Sequence, residues 1–396
     1  MLKLKRILIG FFILVIAYSY SLYFILQAGL GLPSEGIFFH LYSGVLSVFS
    51  FMLYLFTFNK SPVHSTISAF LICITVLLLY SLTSIIYGYY NSYYISYLLS
   101  TGVRFVPAIF VGCVMLKIPD LLQKVEKALL PFIVLYTIIL ANIVFNAELG
   151  GNVGQTFNIE GGMTYQSISY YSIFAFGLTM YLIVFSKKSK YLRFLLIGLA
   201  ILQFLMCIMA GGRGAFVLGV VFYFYFILKT ISLKNAFLYI VLLGVIFLFL
   251  QLLGENNEVF SLGFNRIFNF FGDSDAVDND GRWIRWNIAF DSFLASPIFG
   301  HGLGSIFYEV GFYSHNIITD LLCEGGILLV SIFGVTLYAF YHRVKKLILL
   351  DYRYEIFVII FLSSFMLTSF SGYYLAETGI WLSVFFILNK KVKCDD

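Results

Sequence analysis

Residues 165–210 read YQSISYYSIFAFGLTMYLIVFSKKSKYLRFLLIGLAILQFLMCIMA. Two apolar runs, 165–186 and 191–210, flank a short segment that carries Lys187, Lys188, Lys190 and Arg193. A bilayer core takes about 20 apolar residues per helix, so each run is long enough to span it. Working outward, further runs fall near 7–27, 37–58, 66–87, 93–116, 129–146, 214–228, 236–253, 316–340, 356–370 and 376–389. The expected fold class is therefore an all-α polytopic membrane protein with about 12 transmembrane helices. Residues 1–396 form one integral membrane domain in this reading. Composition agrees: hydrophobic residues make up 61% and charged residues 11%, against roughly 25% charged in a soluble domain. Six prolines and no low-complexity tract exclude a disordered or fibrous chain. The first run follows Lys3, Lys5 and Arg6, yet it is too long for a signal-peptide core and no small-x-small cleavage site follows. It reads as a retained span.

The Lys/Arg bias of short loops sets orientation. With the N-terminus cytoplasmic, the inner segments hold 20 of the 25 basic residues, including all the lysines. An even number of spans returns the C-terminus to the cytoplasm. The net charge of +5 then needs no nucleic-acid partner. Arg104, Arg213, Arg266, Arg282 and Arg285 stay in the membrane or on the outer side, and none of the five is Lys. A point charge suffices for topology, whereas Arg grips phosphate or carboxylate with a planar fork. The plainer alternative pairs some of these arginines with outer acids such as Glu148 or Asp291.

Two outer connections are long: 147–164 and 254–315. A loop of about 60 residues is far beyond ordinary connections and is normally functional. Within it, residues 258–272 (EVFSLGFNRIFNFFG) have an aromatic face that includes Arg266. Residues 281–296 (GRWIRWNIAFDSFLAS) are amphipathic at helical spacing, with Arg282 and Arg285 one turn apart, as are Trp283 and Trp286. Trp favours the membrane–water boundary, so this helix is expected to lie along the outer surface, ending at Pro297. Asp273, Asp275, Asp278 and Asp280 suggest a calcium loop, but the position that an EF-hand gives to Glu is Ile284. A solvated acidic loop fits better. The cysteines Cys73, Cys113, Cys207, Cys323 and Cys394 form no CxxC, so they indicate neither a disulfide framework nor a metal site.

HExxH, GxxxxGK[ST] and GxSxG are all missing from the sequence. Among the histidines, His315 follows Ser314, read as an N-cap, at the outer start of the tenth helix (SHNIITDLLCEGG). The positive end of a helix dipole disfavours imidazolium, and a neutral imidazole at the water boundary suits a general base. On position alone a structural histidine is an equal reading. His301, in GHGLG, reads as a turn residue. Arg213 lies in MAGGRGAF between two spans, either gripping a ligand or snorkelling from a tight turn. Arg104, Asp320 and Glu324 are intramembrane ionisable residues, a functional signal by their cost in hydrocarbon. Asp320 and Glu324 share a helical face with Asn316. One of these acids pairing with Arg104, or a Glu324-Gly325-Gly326 packing motif, is the structural alternative.

In order, GGRGA, the Arg-containing loop helix, PIFGHGLGS and SHNIITDLLCEGG resemble the motifs of the O-antigen polymerase/ligase superfamily (Wzy/WaaL type). The resemblance covers roughly residues 205–330 and rests on order, spacing and sidedness, since each motif alone is weak. It implies a metal-independent glycosyltransferase, with no cofactor, in the bacterial inner membrane. Its substrates would be undecaprenyl-pyrophosphate-linked glycans, as donor and as acceptor, at a site facing the periplasm. A chain-length regulator is an implied partner. His315 matches the proposed base, and Arg213 and Arg282 match the arginines for the pyrophosphate. Arg285 joins them, with Arg266, Arg104, Asn316, Asp320 and Glu324 as secondary candidates.

The expected function is O-antigen polymerase, in which the donor glycan is transferred to the terminal sugar of a second lipid-linked repeat. Richness in Phe, Tyr, Ile and Asn is compatible with AT-rich polysaccharide clusters and tilts the reading this way. The alternatives are a ligase that uses lipid A-core as acceptor and a flippase for lipid-linked sugars. A flippase needs polar residues through both leaflets, whereas here they concentrate on one side.

Overall fold

A backbone that faces lipid must satisfy its own N–H and C=O groups, so each span has to be helical. The computed structural model describes residues 2–29, 37–58, 105, 107–146, 148–149, 157–158, 164–185, 189–230, 258–268, 281–310 and 313–390. Its first helices are α1 (Leu2–Ala17), α2 (Ser19–Gly29), α3 (Ile37–Phe58), α4 (107–115) and α5 (Leu121–Asn146). Then come α6 (Tyr165–Phe185), α7 (Lys190–Ala210), α8 (Arg213–Thr230), α9 (Glu258–Phe268) and α10 (Gly281–Ala295). The last are α11 (Ser305–Val310), α12 (Ile317–Leu350), α13 (Glu355–Phe370) and α14 (Thr378–Asn389). Apart from a 3-10 turn at Tyr352–Tyr354, the other regular structure described is one antiparallel pairing, Glu148–Leu149 with Phe157–Asn158.

Among the described residues, five helices are long and apolar enough to cross a membrane: Leu121–Asn146, Gln166–Phe185, Lys190–Ala210, Ile317–Leu350 and Tyr352–Phe370. The helical membrane class therefore stands. Runs 66–87 and 236–253, most of 93–106 and the acidic stretch 273–280 lie outside the described residues. Three expected boundaries differ. The first run divides at Tyr18 into α1 and α2, the fifth begins at Leu121 rather than 129, and the tenth continues to Leu350 rather than 340. The second difference has a simple cause: a helix is held by its hydrogen bonds and continues past the hydrocarbon into water. Lys124, Glu126 and Lys127 ride on that polar extension.

The chain folds into two compact units. The second comprises Tyr20–Gly36 and Glu126–Val277. Its centre is α6, buried at Tyr170, Tyr171, Phe174, Leu178 and Tyr181 and packed on α7 and α8. Two hydrogen bonds in this interior are made by side-chain donors: Gln203 Nε2 donates to Thr137 Oγ1 (2.7 Å), and Thr179 to the Ala175 carbonyl (2.8 Å). The first unit comprises Met1–Ser19, Ile37–Val125 and Asp278–Asp396. Here the first and last helices meet closely. The Thr378 hydroxyl donates to the Ile16 carbonyl (2.9 Å), and a Cβ on Gly379 would come within 3.1 Å of the Ala17 carbonyl oxygen. One core of this unit joins Phe105, Ile109 and Cys113 to Ile317, Leu321 and Tyr373.

Candidate functional site

Helix α10 stops where the sequence says it should, because Pro297 cannot continue it. The chain then turns through Gly300 (φ +65°), Gly302 (φ +94°) and Gly304 (φ +77°), left-handed conformations that only glycine takes without steric cost. This turn is laced to α12. His301 N–H donates to the Cys323 carbonyl (2.9 Å) and Gly302 N–H to the Glu324 carbonyl (2.8 Å), while Ile327 N–H returns to the Pro297 carbonyl (2.9 Å). The lacing works because α12 breaks at Gly326 (φ 59°, ψ −158°), which frees backbone groups that a continuous helix would consume. Glu324, 1% exposed, completes the knot. Its Oε1 accepts from Gly304 N–H and the Tyr373 hydroxyl (both 2.8 Å), and its Oε2 from the Tyr374 hydroxyl (2.7 Å). The glycine turn and Glu324-Gly325-Gly326 are thus two halves of one structure.

A Cβ on Gly326 would lie 2.5 Å from the carbonyl carbon of Ile298, against backbone that cannot swing away. Gly326→Ala combines left-handed strain with overpacking and should destabilise the protein by about 3 kcal/mol. Thermal unfolding in detergent checks this. Gly334→Ala, further along α12 with open space around it, should leave the transition unmoved or slightly raised.

Beside this knot lies His315, at φ +66°. The Ser314 N-cap expectation is corrected: Asn316 is the cap, its side chain accepting from Ile318 N–H (2.9 Å). Ser314 instead anchors the turn. Its N–H donates to Asp320 Oδ1 (2.9 Å), its hydroxyl pairs with Thr319 Oγ1 (2.6 Å), and its carbonyl accepts from Trp286 Nε1 (3.0 Å). The Tyr313 ring meets His315 edge-on at 4.6 Å, and its hydroxyl donates to the Ser371 carbonyl (2.8 Å). A left-handed residue other than glycine costs on the order of 1–3 kcal/mol and persists where its surroundings over-determine it. Here neighbours on both sides of His315 are fixed by side chains from α10 and α12.

Arg282 and Arg285, both half-buried, share α10 with Trp286, so the bond from Trp286 to Ser314 ties their helix to the backbone next to His315. Asp320 is fully buried, and among the described residues no donor reaches its Oδ2. Asp320 reaches the backbone next to His315 by accepting from the Ser314 N–H. Arg104 lies outside the described residues.

The second unit holds Arg213 and Arg266. Gly211 (φ 73°) caps α7, its N–H donating to the carbonyls of Cys207 (3.2 Å) and Ile208 (2.9 Å). Gly212 N–H donates to Ser169 Oγ (2.9 Å), and a Cβ there would overlap that side chain. Arg213 then opens α8, half-buried. The Arg266 stem lies over Gly211, its Cδ 3.1 Å from where a Cβ would stand. The tight turn of GGRGA is therefore real, and its glycines admit both Ser169 and the Arg266 side chain.

Sequence reasoning missed Tyr313, Tyr373 and Tyr374. The signal was a Gly-Tyr-Tyr step between two apolar runs at 372–374, where side-chain hydroxyls interrupt a chain otherwise made for lipid.

Residues 198–334 match the family model described as O-antigen ligase. This range takes in Arg213, Arg266, Arg282, Arg285, His315, Asp320 and Glu324. The curated proteins give no match.

Proposed function

We propose that this chain, a member of the O-antigen polymerase/ligase superfamily through residues 198–334, is an O-antigen polymerase. The observation that carries the reading is the bond from Trp286 to Ser314, which binds the helix of Arg282 and Arg285 to the strained backbone at His315. A sugar hydroxyl needs a base, and a departing pyrophosphate needs charge placed where its own develops. In the proposed step, a hydroxyl of the acceptor repeat gives its proton to His315 while its oxygen attacks the donor's anomeric carbon. The bond from that carbon to the lipid pyrophosphate breaks, its electron pair leaving on the pyrophosphate. Arg213, Arg282 and Arg285 hold the growing negative charge. A single displacement of this kind inverts the anomeric centre.

Membrane placement supports this chemistry. Trp283, Ile284, Phe290 and Leu294 of α10 are exposed, as suits a helix lying in the outer interface beside a lipid-borne substrate. In this reading the site faces the periplasm from the inner membrane, both termini are cytoplasmic, and a chain-length regulator is a partner.

The description of the matched family favours a second reading, a ligase with the same donor and lipid A-core as acceptor. The lipopolysaccharide of a deletion strain separates the two. Core plus one repeat is expected for a polymerase; core with no repeat overturns that choice in favour of the ligase. Transfer by purified protein is expected to survive EDTA, since arginines supply the counter-charge. Loss on chelation, restored by a divalent ion, would redirect attention to Asp273, Asp275, Asp278 and Asp280.

A further inference from the structure

The far end of α12 carries a feature that glycan transfer does not use. The turn that follows α4, the Asp351–Tyr354 turn and the end of α14 line an open cavity of about 490 Å³. Its lining includes the apolar Leu121, Leu122 and Phe386 and the basic Lys117, Arg353 and Lys390.

These cations are not equally committed. Arg353 forks onto Asp351, with Nη2–Oδ2 at 2.7 Å and Nε–Oδ1 at 2.9 Å. Lys390 is fixed through its backbone, because Arg343 donates to its carbonyl. Lys117 is different: its Nζ is buried and has no hydrogen-bond partner among the described residues. Nearby, Lys124 Nζ is already occupied by the Pro119 carbonyl (2.7 Å). The other acid on the wall, Asp120, is exposed at a left-handed turn (φ 50°).

An ammonium carries three donors and no acceptor. Leaving all three unused away from water is unfavourable, and a turn of the flexible Lys117 stem toward an anion in the cavity removes the deficit. All three cations also lie in segments that the Lys bias assigns to the cytoplasmic side. Basic pockets between membrane helices on that side suit phosphate-bearing lipid headgroups, and the apolar wall suits the glycerol and first methylenes that come with one.

We propose that this cavity binds the phosphate group of an anionic glycerophospholipid, seated on Lys117 and Lys390. The proposal is independent of the donor chemistry at His315. The full-length protein, in nanodiscs of phosphatidylcholine with a minority of phosphatidylglycerol, provides the test, with retained lipid counted by native mass spectrometry. Wild type should retain phosphatidylglycerol, and Lys117→Gln and Lys390→Gln should each hold it about fivefold more weakly. Lys346→Gln removes an exposed charge from α12 outside the cavity and should behave as wild type. Unchanged retention in both cavity variants, or equal loss in Lys346→Gln, overturns the proposal. Millimolar inorganic phosphate distinguishes the sources: displacement of the lipid from wild type would make the free ion the occupant and overturn the lipid assignment. If Lys117→Gln fails to fold, Lys390→Gln decides by the same comparison.

Discussion

Replacing His315 should lower single-turnover transfer from a lipid-linked donor by about 10²–10⁴-fold, the usual contribution of a positioned general base. The backbone chooses the variant. His315 stands at φ +66°, where Ala adds strain of its own while Asn tolerates the conformation. His315→Asn therefore removes the base with least disturbance, and His315→Ala should match it in turnover with some added instability. Donor binding should be nearly intact in both. The internal control is His301, whose Nε2 donates to the Ser292 carbonyl (2.8 Å) within the glycine knot. His301→Ala should lose about 1 kcal/mol of stability and little rate. Wild-type activity should also fall on the acid side, because a protonated imidazole accepts no proton, and the Asn variant's residual rate should lack that limb. Full transfer by His315→Asn would remove the base assignment and direct attention to Asp320 or to the substrate itself.

Several helices were legible because an apolar run long enough to cross lipid has to be helical, and 37–58 and 191–210 became Ile37–Phe58 and Lys190–Ala210. What stayed hidden depends on contacts distant in sequence. No local pattern reveals that Glu324 meets Tyr373 and Tyr374, about fifty residues away. The cap is a different case. Ser314 and Asn316 both belong to the preferred N-cap types, and sequence offers no means of choosing between them. The structure chooses Asn316 because Asp320 and Trp286 already hold the Ser314 backbone. The glycines of 300–304 were legible as a turn, but their purpose was not. Gly300 has to be small because a Cβ there would stand 2.4 Å from the Glu324 carbonyl carbon, just before the break of α12 at Gly326. The break at Tyr18 has no glycine or proline to announce it.

Arg282→Lys and Arg213→Lys should each express and fold, yet lose about 10²–10³-fold in turnover, the range seen when one preorganised donor to a developing anion is removed. Lys keeps the charge but replaces a planar, two-pronged donor with a single ammonium. The loss should therefore fall mainly on kcat, where the leaving pyrophosphate gathers charge, and less on KM. Folding should survive for reasons visible at each site. Arg282 is half-buried in the first turn of α10, beside the exposed Trp283. The turn that precedes Arg213 is held by Gly211, Gly212 and Ser169. Arg266 gives the contrast, since its stem packs over Gly211 and Lys reproduces most of that stem. Arg266→Lys should keep far more activity if its role is packing, whereas Arg266→Ala should cost stability. The measurement is transfer from lipid-linked donor at matched protein levels, with polymer laddering in cells as a second readout. Wild-type turnover in both Arg282→Lys and Arg213→Lys would show that charge alone suffices, and the pyrophosphate grip assigned to these two arginines would have to be abandoned.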